Sequence, residues 1–377
     1  GLSSAYALAD RGAEVVLCEQ GSLGDGSTSR ALGGVRAQFS TAVNVDLSLA
    51  SRPVWESFED RFGVDIGFRQ TGYLMLARTG ETAAGLKRQV DLQRGRGAET
   101  ELLAPEQVTD YCAGVDPDAV TAATYNPRDG FADPYLALQG YADAVREQGV
   151  DVRTNTAVTG VRLDGDRVFG VELTDDGAPS DGAIDADAVV NATGPWAAEL
   201  AAMAGIDVPV EAHRRQALVV DPEQPVPESD PLTIDLETGS HFRPERDGAA
   251  VVGGYFADEP DRADPDGYAE SYDVEWAAET IERAGIYCDY FGDGTRLKRG
   301  WAGLYAVTPD HHPIVEESRP GFVQAVGFSG HGFQHAPATG QVVAEIVLDG
   351  EPSTVDVSAL ASGRFDGDDL RHEHNVA

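Results

Sequence analysis

The chain has 377 residues, 42% of them hydrophobic, with 43 glycines, enough to bury a large core in two domains or one elaborated domain. Its 64 acidic residues against 28 basic ones leave a net charge of -36, and Lys87 and Lys298 are its only lysines; such a surface repels nucleic acid and anionic membranes and points to solvation in high salt. No apolar run reaches the roughly 18 residues needed to span a bilayer, Cys18, Cys112 and Cys288 show no paired spacing, and no fixed-period repeat is present, so a soluble, cytoplasmic chain with reduced thiols is expected.

Leu2, Ala5, Leu8 and Ala9 recur at helical spacing, and Gly12 follows where a helix C-cap belongs. Residues 13–18, AEVVLC, read as a covered parallel strand that delivers Glu19 and Gln20 to its carboxyl edge. The pair fits the rear half of a dinucleotide-binding βαβ unit: Gly1 is its third glycine, and Glu19 is the acid that binds ribose hydroxyls about 20 positions on. The first strand and the first two glycines are then expected upstream of Gly1. An ordinary helix and strand ending in an acid is the alternative on these residues alone.

Residues 21–36 form a loop rich in glycine and small hydroxyls, with Arg30 and Arg36 available for an anion. The spacing predicts a helix over 43–62, a strand over 72–77, a helix over 83–95 and another from Asp133 and Pro134 to about residue 148. Strands are expected at 150–152 and 158–163, with a hairpin at 164–166, and a buried strand over 187–191 runs into a Thr-Gly turn. Residues 208–255 alternate as antiparallel strands, 268–290 read as helical, and 299–307 lead back to the first domain. A strand over 321–327, the loop FSGHGFQ and a helix from about 337 to 348 complete the pattern.

That last loop carries the sharpest chemistry. Ser329, Gly330 and Gly332 let backbone approach a planar ligand, and the following helix turns its positive end toward it. His331 and His335 are four apart, a spacing that can bind metal, but no third ligand of matching spacing accompanies them and no metal is expected. His311, His312, His372 and His374 read most simply as solvated polar residues. No Ser-His-Asp or Cys-His constellation is legible, so hydrolysis has no support.

The helix leading to Glu19, GSTSRALGGVRAQF at 26–39, NATGPW at 191–196 and GFSGHGF at 327–333 occur in an order that resembles the D-amino-acid oxidase-like FAD oxidoreductases. The nearest look is to the branch of sarcosine oxidase β-subunit, glycine oxidase and proline dehydrogenase. The resemblance implies an α/β two-domain fold of the glutathione-reductase type. A Rossmann-like FAD domain would comprise 1–62, 131–207 and 300–377, interleaved with an antiparallel-sheet substrate domain from 63–130 and 208–299.

It further implies that Glu19 and Gln20 hold the adenosine ribose, with Val158, Thr193, Gly194 and Trp196 on the adenosine side. Ser27, Ser29, Arg30, Gly33 and Gly34 would line pyrophosphate and ring, and Gly330, His331, Gly332 and Phe333 its pyrimidine end. Where some relatives tether the flavin to a cysteine this chain has Gly303, so FAD is expected to be non-covalent. Arg36 falls where sarcosine-oxidising relatives bind the substrate carboxylate, its alternative being a surface or pyrophosphate ion pair. Gln334 replaces a lysine that assists in those relatives. Tyr255 and His331, with His241 and Gln38, are further candidates around the substrate.

The implied reaction is hydride transfer from the α-carbon of a small or N-methyl amino acid to flavin N5, giving an imine that hydrolyses. Its partners would be a small amino-acid substrate, an electron acceptor (carrier protein, quinone or oxygen) and a hetero-oligomeric partner subunit. Scarce lysine favours a dehydrogenase over an oxidase. Oxidation of a 2-hydroxy acid and a non-catalytic FAD-binding subunit are the alternatives.

Overall fold

The computed structural model describes residues 1–175, 178–256, 261–367 and 370–375. Helix α1 (Leu2–Asp10) leads into β1 (Val16–Cys18), β2 (Gly34–Val35), α2 (Ala42–Glu56) and α3 (Phe58–Phe62). Next come β3 (Tyr73–Ala77), α4 (Gly80–Gly95), β4 (Glu101–Leu103), β5 (Ala122–Asn126) and β6 (Gly130–Phe131). Helix α5 (Pro134–Glu147) precedes β7 (Asp151–Arg153), β8 (Thr156–Asp164), β9 (Arg167–Asp175), β10 (Ala178–Asp185) and β11 (Val189–Asn191). After α6 (Ala197–Met203) stand β12 (Glu211–Asp221), β13 (Leu232–Asp235), β14 (Ser240–Pro244) and β15 (Ala250–Gly254). Helix α7 (Val274–Gly285), β16 (Arg296–Val307), β17 (Ile314–Arg319), β18 (Phe322–Val326) and α8 (Gly332–Asp349) follow.

The architecture is mixed α/β. In one layer β1 pairs in parallel with β7, and β11 in parallel with β18, which carries β17 antiparallel on its far side. Helix α1 packs there through Ala7 and Leu8 against Ala344 of α8, with Val15 and Val190 below. A Cβ at Gly340 would stand 2.5 Å from Ser3 O, so the two helices meet backbone to backbone.

The second layer is an eight-stranded sheet in the order β16-β12-β15-β14-β13-β3-β5-β4, with β13 and β3 parallel and its other neighbouring pairs antiparallel. Strand alternation divides its faces. Leu74, Leu218, Val252 and Phe242 form a core with Ala277, Ala284 and Tyr287 of the α7 region. Burying a side chain the size of Phe242 contributes roughly 1.5–3 kcal/mol. The opposite face carries Tyr73 opposite Leu232, His241 opposite Ile234 and Gly253, Arg215 opposite Gly303, and Tyr305 opposite His213.

Several boundaries differ from the sequence expectation. The helix predicted over 43–62 breaks at Ser57, whose φ of -114 and ψ of 23 are non-helical and whose Oγ donates to Pro53 O at 2.6 Å. The helix predicted over 268–290 ends at Gly285, and Tyr287, Tyr290 and Phe291 enter the sheet core instead. The strand expected over 13–18 shortens to Val16–Cys18. The domain boundary expected at 300 falls inside β16, which pairs with β12 from Arg296 to Val307.

The helix expected from about 337 starts at Gly332. Pro337 lies inside it, although proline at the first position is the commoner signal. Two side chains of α2 supply bonds on either side of that proline: Ser51 Oγ accepts from Ala338 N at 3.1 Å, and Trp55 Nε1 donates to Gln334 O at 2.9 Å.

Candidate active site

The parallel pairs β1–β7 and β11–β18 end in turns at their carboxyl edges, where ligands of such sheets bind. Glu19 follows β1, its N–H donating to Arg153 O at 2.8 Å and its carboxylate accepting from Gly21 N at 2.9 Å. Gln20 beside it is exposed, as is Gly1, whose carbonyl accepts the first turn of α1. Asn191 ends β11, and its amide donates to Gln324 Oε1 and Ala197 O, both at 2.9 Å, which fixes the turn through Thr193 and Gly194. Val158 lies on β8, partly buried against Val168 and Leu200.

After β18 the chain turns sharply. Gly327, Ser329 and Gly330 all have left-handed φ, of 72, 48 and 92 degrees. The serine is held there by its N–H donating to Ala306 O at 2.8 Å. A Cβ at Gly330 would overlap the Tyr305 ring, so only glycine admits this loop against the sheet. Gly332 then opens α8 without a side-chain cap at His331, leaving first-turn N–H groups for another acceptor. Phe333 stacks on Trp55 at 4.7 Å.

The loop over 26–39 runs along the other side. Ser27 Oγ donates to Leu304 O at 2.7 Å and Trp301 Nε1 to Arg30 O at 3.0 Å, so this loop lies directly on β16. Gly303 makes the approach feasible, since a Cβ there would stand 2.5 Å from Arg30 Cβ. The Arg30 guanidinium pairs with Glu270 at 2.6 Å, and Ser29 Oγ turns back to Gly26 O at 3.2 Å. A cavity of about 160 Å³ is lined by Gly26, Ser27, Pro195, Trp196 and Leu304. Trp196 Nε1 donates to Asp266 at 2.8 Å. Gly33 (φ 77) and Gly34 then thread between Ala132 and Tyr73 with no room for a side chain.

Arg36 is buried to 7% exposure. Its guanidinium donates to Gln38 O at 2.6 Å and to Asn375 O, and lies 4.1 Å from the Phe39 ring centroid. No carboxylate among the described residues stands within ion-pair distance. Carbonyls solvate a cation without neutralising it, and three of the five guanidinium N–H groups remain. Tyr73 and Tyr305 lie close enough to act on it through space. Its main-chain N–H donates to Gln334 Oε1 at 2.7 Å, which fixes the amide so that Nε2 and its hydrogens are left over. Asp129, fully buried, accepts from Ala37 N at 2.8 Å and pairs with Arg52 at 3.2 Å, holding the same strand from behind.

His331 does not face this space as a catalytic group. Its Nε2 meets His311 O at 3.0 Å and its Nδ1 meets His335 Nδ1 at 3.2 Å, while His335 Nε2 meets Ser48 Oγ at 2.9 Å. One proton arrangement satisfies them all: Ser48 donates to His335, His335 to His331, and His331 to the carbonyl. Both rings are then neutral with every nitrogen committed, and burial holds His331 down to about 4. His312, expected in solvent, is buried, and its Nδ1 accepts from Asn44 at 3.2 Å. Gln38 is structural as well, its amide bonded to Tyr73 O, Asp129 and Thr124.

On the sheet face the Arg215 guanidinium covers the Tyr255 ring at 3.7 Å, and Tyr255 Oη accepts from Asp261 N at 3.1 Å. Two buried polar atoms, His241 Nδ1 and Arg243 Nε, have no partner among the described residues. Both lie on the sheet face that carries Arg215. The uncapped start of α8 offers N–H donors and Glu19 offers acceptors for ribose hydroxyls, a combination that fits a flavin dinucleotide.

Residues 1–346 match the model of the DAO family, described as FAD dependent oxidoreductase. FAD-dependent oxidoreductase domain-containing protein 1 of Bos taurus is 31% identical, the match covering 93% of this chain and 78% of that protein. Sarcosine oxidase subunit beta of Arthrobacter sp is 27% identical over 100% of this chain and 91% of its own. The crystal structure of L-proline dehydrogenase from P. horikoshii superposes with a TM-score of 0.87 at 32% identity, covering 98% of this chain and 96% of that one.

Proposed function

The chain belongs to the FAD dependent oxidoreductase family, and from that premise we propose that it oxidises the C–N bond of a small or N-alkyl amino acid whose carboxylate is held by Arg36. The observation that carries the reading is the buried Arg36 guanidinium, lacking a carboxylate partner among the described residues and facing the sheet with Tyr73 and Tyr305. FAD is its cofactor, and when bound it supplies a two-electron acceptor for the substrate α-carbon.

The chain's own residues do the rest. Glu19 would take the ribose hydroxyls; the loop at 27–34 and the first turn of α8 would take the pyrophosphate and the ring edge. Arg36 and the leftover Nε2 of Gln334 would fix the carboxylate and so orient the substrate α-carbon, which lowers the entropic part of the barrier. The sheet face, with Tyr305 and Tyr73, excludes water. His331 and His335 have no nitrogen available to take a proton, so the substrate amine sheds its proton to solvent before reaction. An electron acceptor, whether a carrier, a quinone, oxygen or a partner subunit, completes the cycle and belongs to the same proposal. No helix among the described residues is long and apolar enough to cross a membrane.

The test is anaerobic bleaching of the flavin by sarcosine, L-proline, glycine and the matching 2-hydroxy acids. Bleaching by an amino acid alone supports the proposal, whereas bleaching by hydroxy acids alone, or by none, overturns it. Arg36→Ala is expected to raise KM for the responsive amino acid at least tenfold at normal FAD content, and an unchanged KM removes the arginine from its role.

A further inference from the structure

The segment over 370–375 runs beside Arg36, well beyond the residues so far given a role. Glu373, fully buried, fastens it. Its Oε1 accepts from Ser40 N at 2.7 Å, Ser40 Oγ at 2.6 Å and Asn375 N at 3.1 Å, and its Oε2 from Thr41 Oγ1 at 2.7 Å and Asn44 Nδ2 at 3.0 Å. These donors surround the start of α2, where the helix dipole favours an anion. The main chain is fastened too, with Glu373 N donating to Asp310 O at 3.0 Å and His374 N to Ser40 Oγ at 2.9 Å. Asn375, 5% exposed, then donates its amide to Gln38 O at 3.1 Å and Gln89 Oε1 at 2.8 Å, and its carbonyl accepts from Arg36.

We propose that Glu373 and Asn375 are positioning residues for substrate binding: they set the Arg36 guanidinium for the substrate carboxylate by presenting the Asn375 carbonyl to it. This role rests on Arg36 binding the substrate carboxylate, as proposed above. A long side chain reaching a buried site needs its rotamer fixed before it can bind bidentately, and an unanchored guanidinium loses part of its binding energy to ordering. A carbonyl is suited to the task because it orients the fork and leaves the charge for the ligand. The carboxylate of Glu373 stays one step away, its oxygens occupied by five donors, so it secures the segment without pairing with the arginine.

The experiment uses the FAD-loaded protein and titrates acetate, a bare carboxylate, by its perturbation of the flavin spectrum, in the parent, Arg36→Ala, Glu373→Ala, Glu373→Gln and Asn375→Ala forms. Glu373→Ala and Asn375→Ala are expected to weaken acetate binding about five- to twentyfold with unchanged flavin content. Glu373→Gln, which keeps two acceptor lone pairs, recovers part of the loss. KM for the responsive amino acid should rise in parallel while kcat changes less than threefold. If Arg36→Ala abolishes acetate binding but Glu373→Ala and Asn375→Ala stay within twofold of the parent, the positioning role is wrong and the arginine reading stands. An unaffected Arg36→Ala overturns both. Should Glu373→Ala fail to fold, Glu373→Gln and Asn375→Ala decide together, the first weakening the hold on the segment and the second removing the amide bonds to Gln38 O and Gln89 that steady the carbonyl: both within twofold of the parent overturn the positioning role.

Discussion

Gln334 Oε1 accepts the main-chain N–H of Arg36 at 2.7 Å, joining two loops 298 positions apart. Arg36 follows β2 and Gln334 lies in the first turn of α8, so this single bond aligns the end of β2 with the start of α8. It also decides the orientation of the amide, because a backbone N–H can only donate. Gln334 therefore acts in two directions, bracing Arg36 with its oxygen and offering hydrogens on the other side.

Replacing Gly330 with alanine should be costly. The φ of 92 degrees strains any L side chain, and the new Cβ would overlap Tyr305, which is itself held in β16. We expect a loss of about 2–4 kcal/mol and reduced FAD retention, read from thermal melts and the ratio of flavin to protein absorbance. A variant with parental Tm and flavin content would show that the loop does not sit against Tyr305.

The neutral His331–His335 pair makes a signed prediction about pH. Burial lowers His331 from 6.5 to about 4, so as pH falls the unfolded chain takes up its proton first. Stability from this residue is complete above about pH 6.5 and is lost progressively down to about pH 4, by on the order of 3 kcal/mol. His331→Asn should therefore lose less stability than the parent between pH 6.5 and pH 4 in urea titrations. Parallel curves would mean that the imidazole is not held neutral.

The net charge of -36 predicts a dependence on salt. Self-repulsion among carboxylates is screened as the Debye length falls from about 10 Å at 0.1 M to about 3 Å at 1 M. The Tm should climb as NaCl is raised from 0.05 to 1 M, and a flat or falling Tm would show that repulsion is not what limits this fold.

The close backbone approaches around the candidate site were legible because glycine marks where backbone must pass something closely. Gly33, Gly34 and Gly330, which stood out in the sequence, each meet a neighbour that leaves no space for a Cβ; Gly303 does too, although the sequence marked it only as the place of a flavin-tethering cysteine in some relatives. The strand pattern of the large sheet was readable for the same reason that its faces alternate. The environment of His331 was not readable. Its ring is satisfied by His311, His335 and, through His335, by Ser48 of α2, and no local spacing reveals that an exposed-looking glycine loop buries its own histidine. The partners of Glu373 lie more than 320 positions away at Ser40, Thr41 and Asn44, and a lone acid among histidines carries no periodic signal. The boundary of α8 was missed because Pro337 resembles a first-turn proline, and only the tertiary contact with α2 shows why the helix runs through it.

That proline has a consequence for how this chain can vary. Ser51 and Trp55 supply bonds to Ala338 N and Gln334 O, on either side of the position where Pro337 has no N–H to offer. An N–H at position 337 would reach back to Phe333 O, so it is the opened pair of Ala338 N and Gln334 O, taken up by Ser51 and Trp55, that ties α8 to α2. Replacing Trp55 with Phe would leave the Gln334 carbonyl without that donor, in the residue whose side chain braces Arg36.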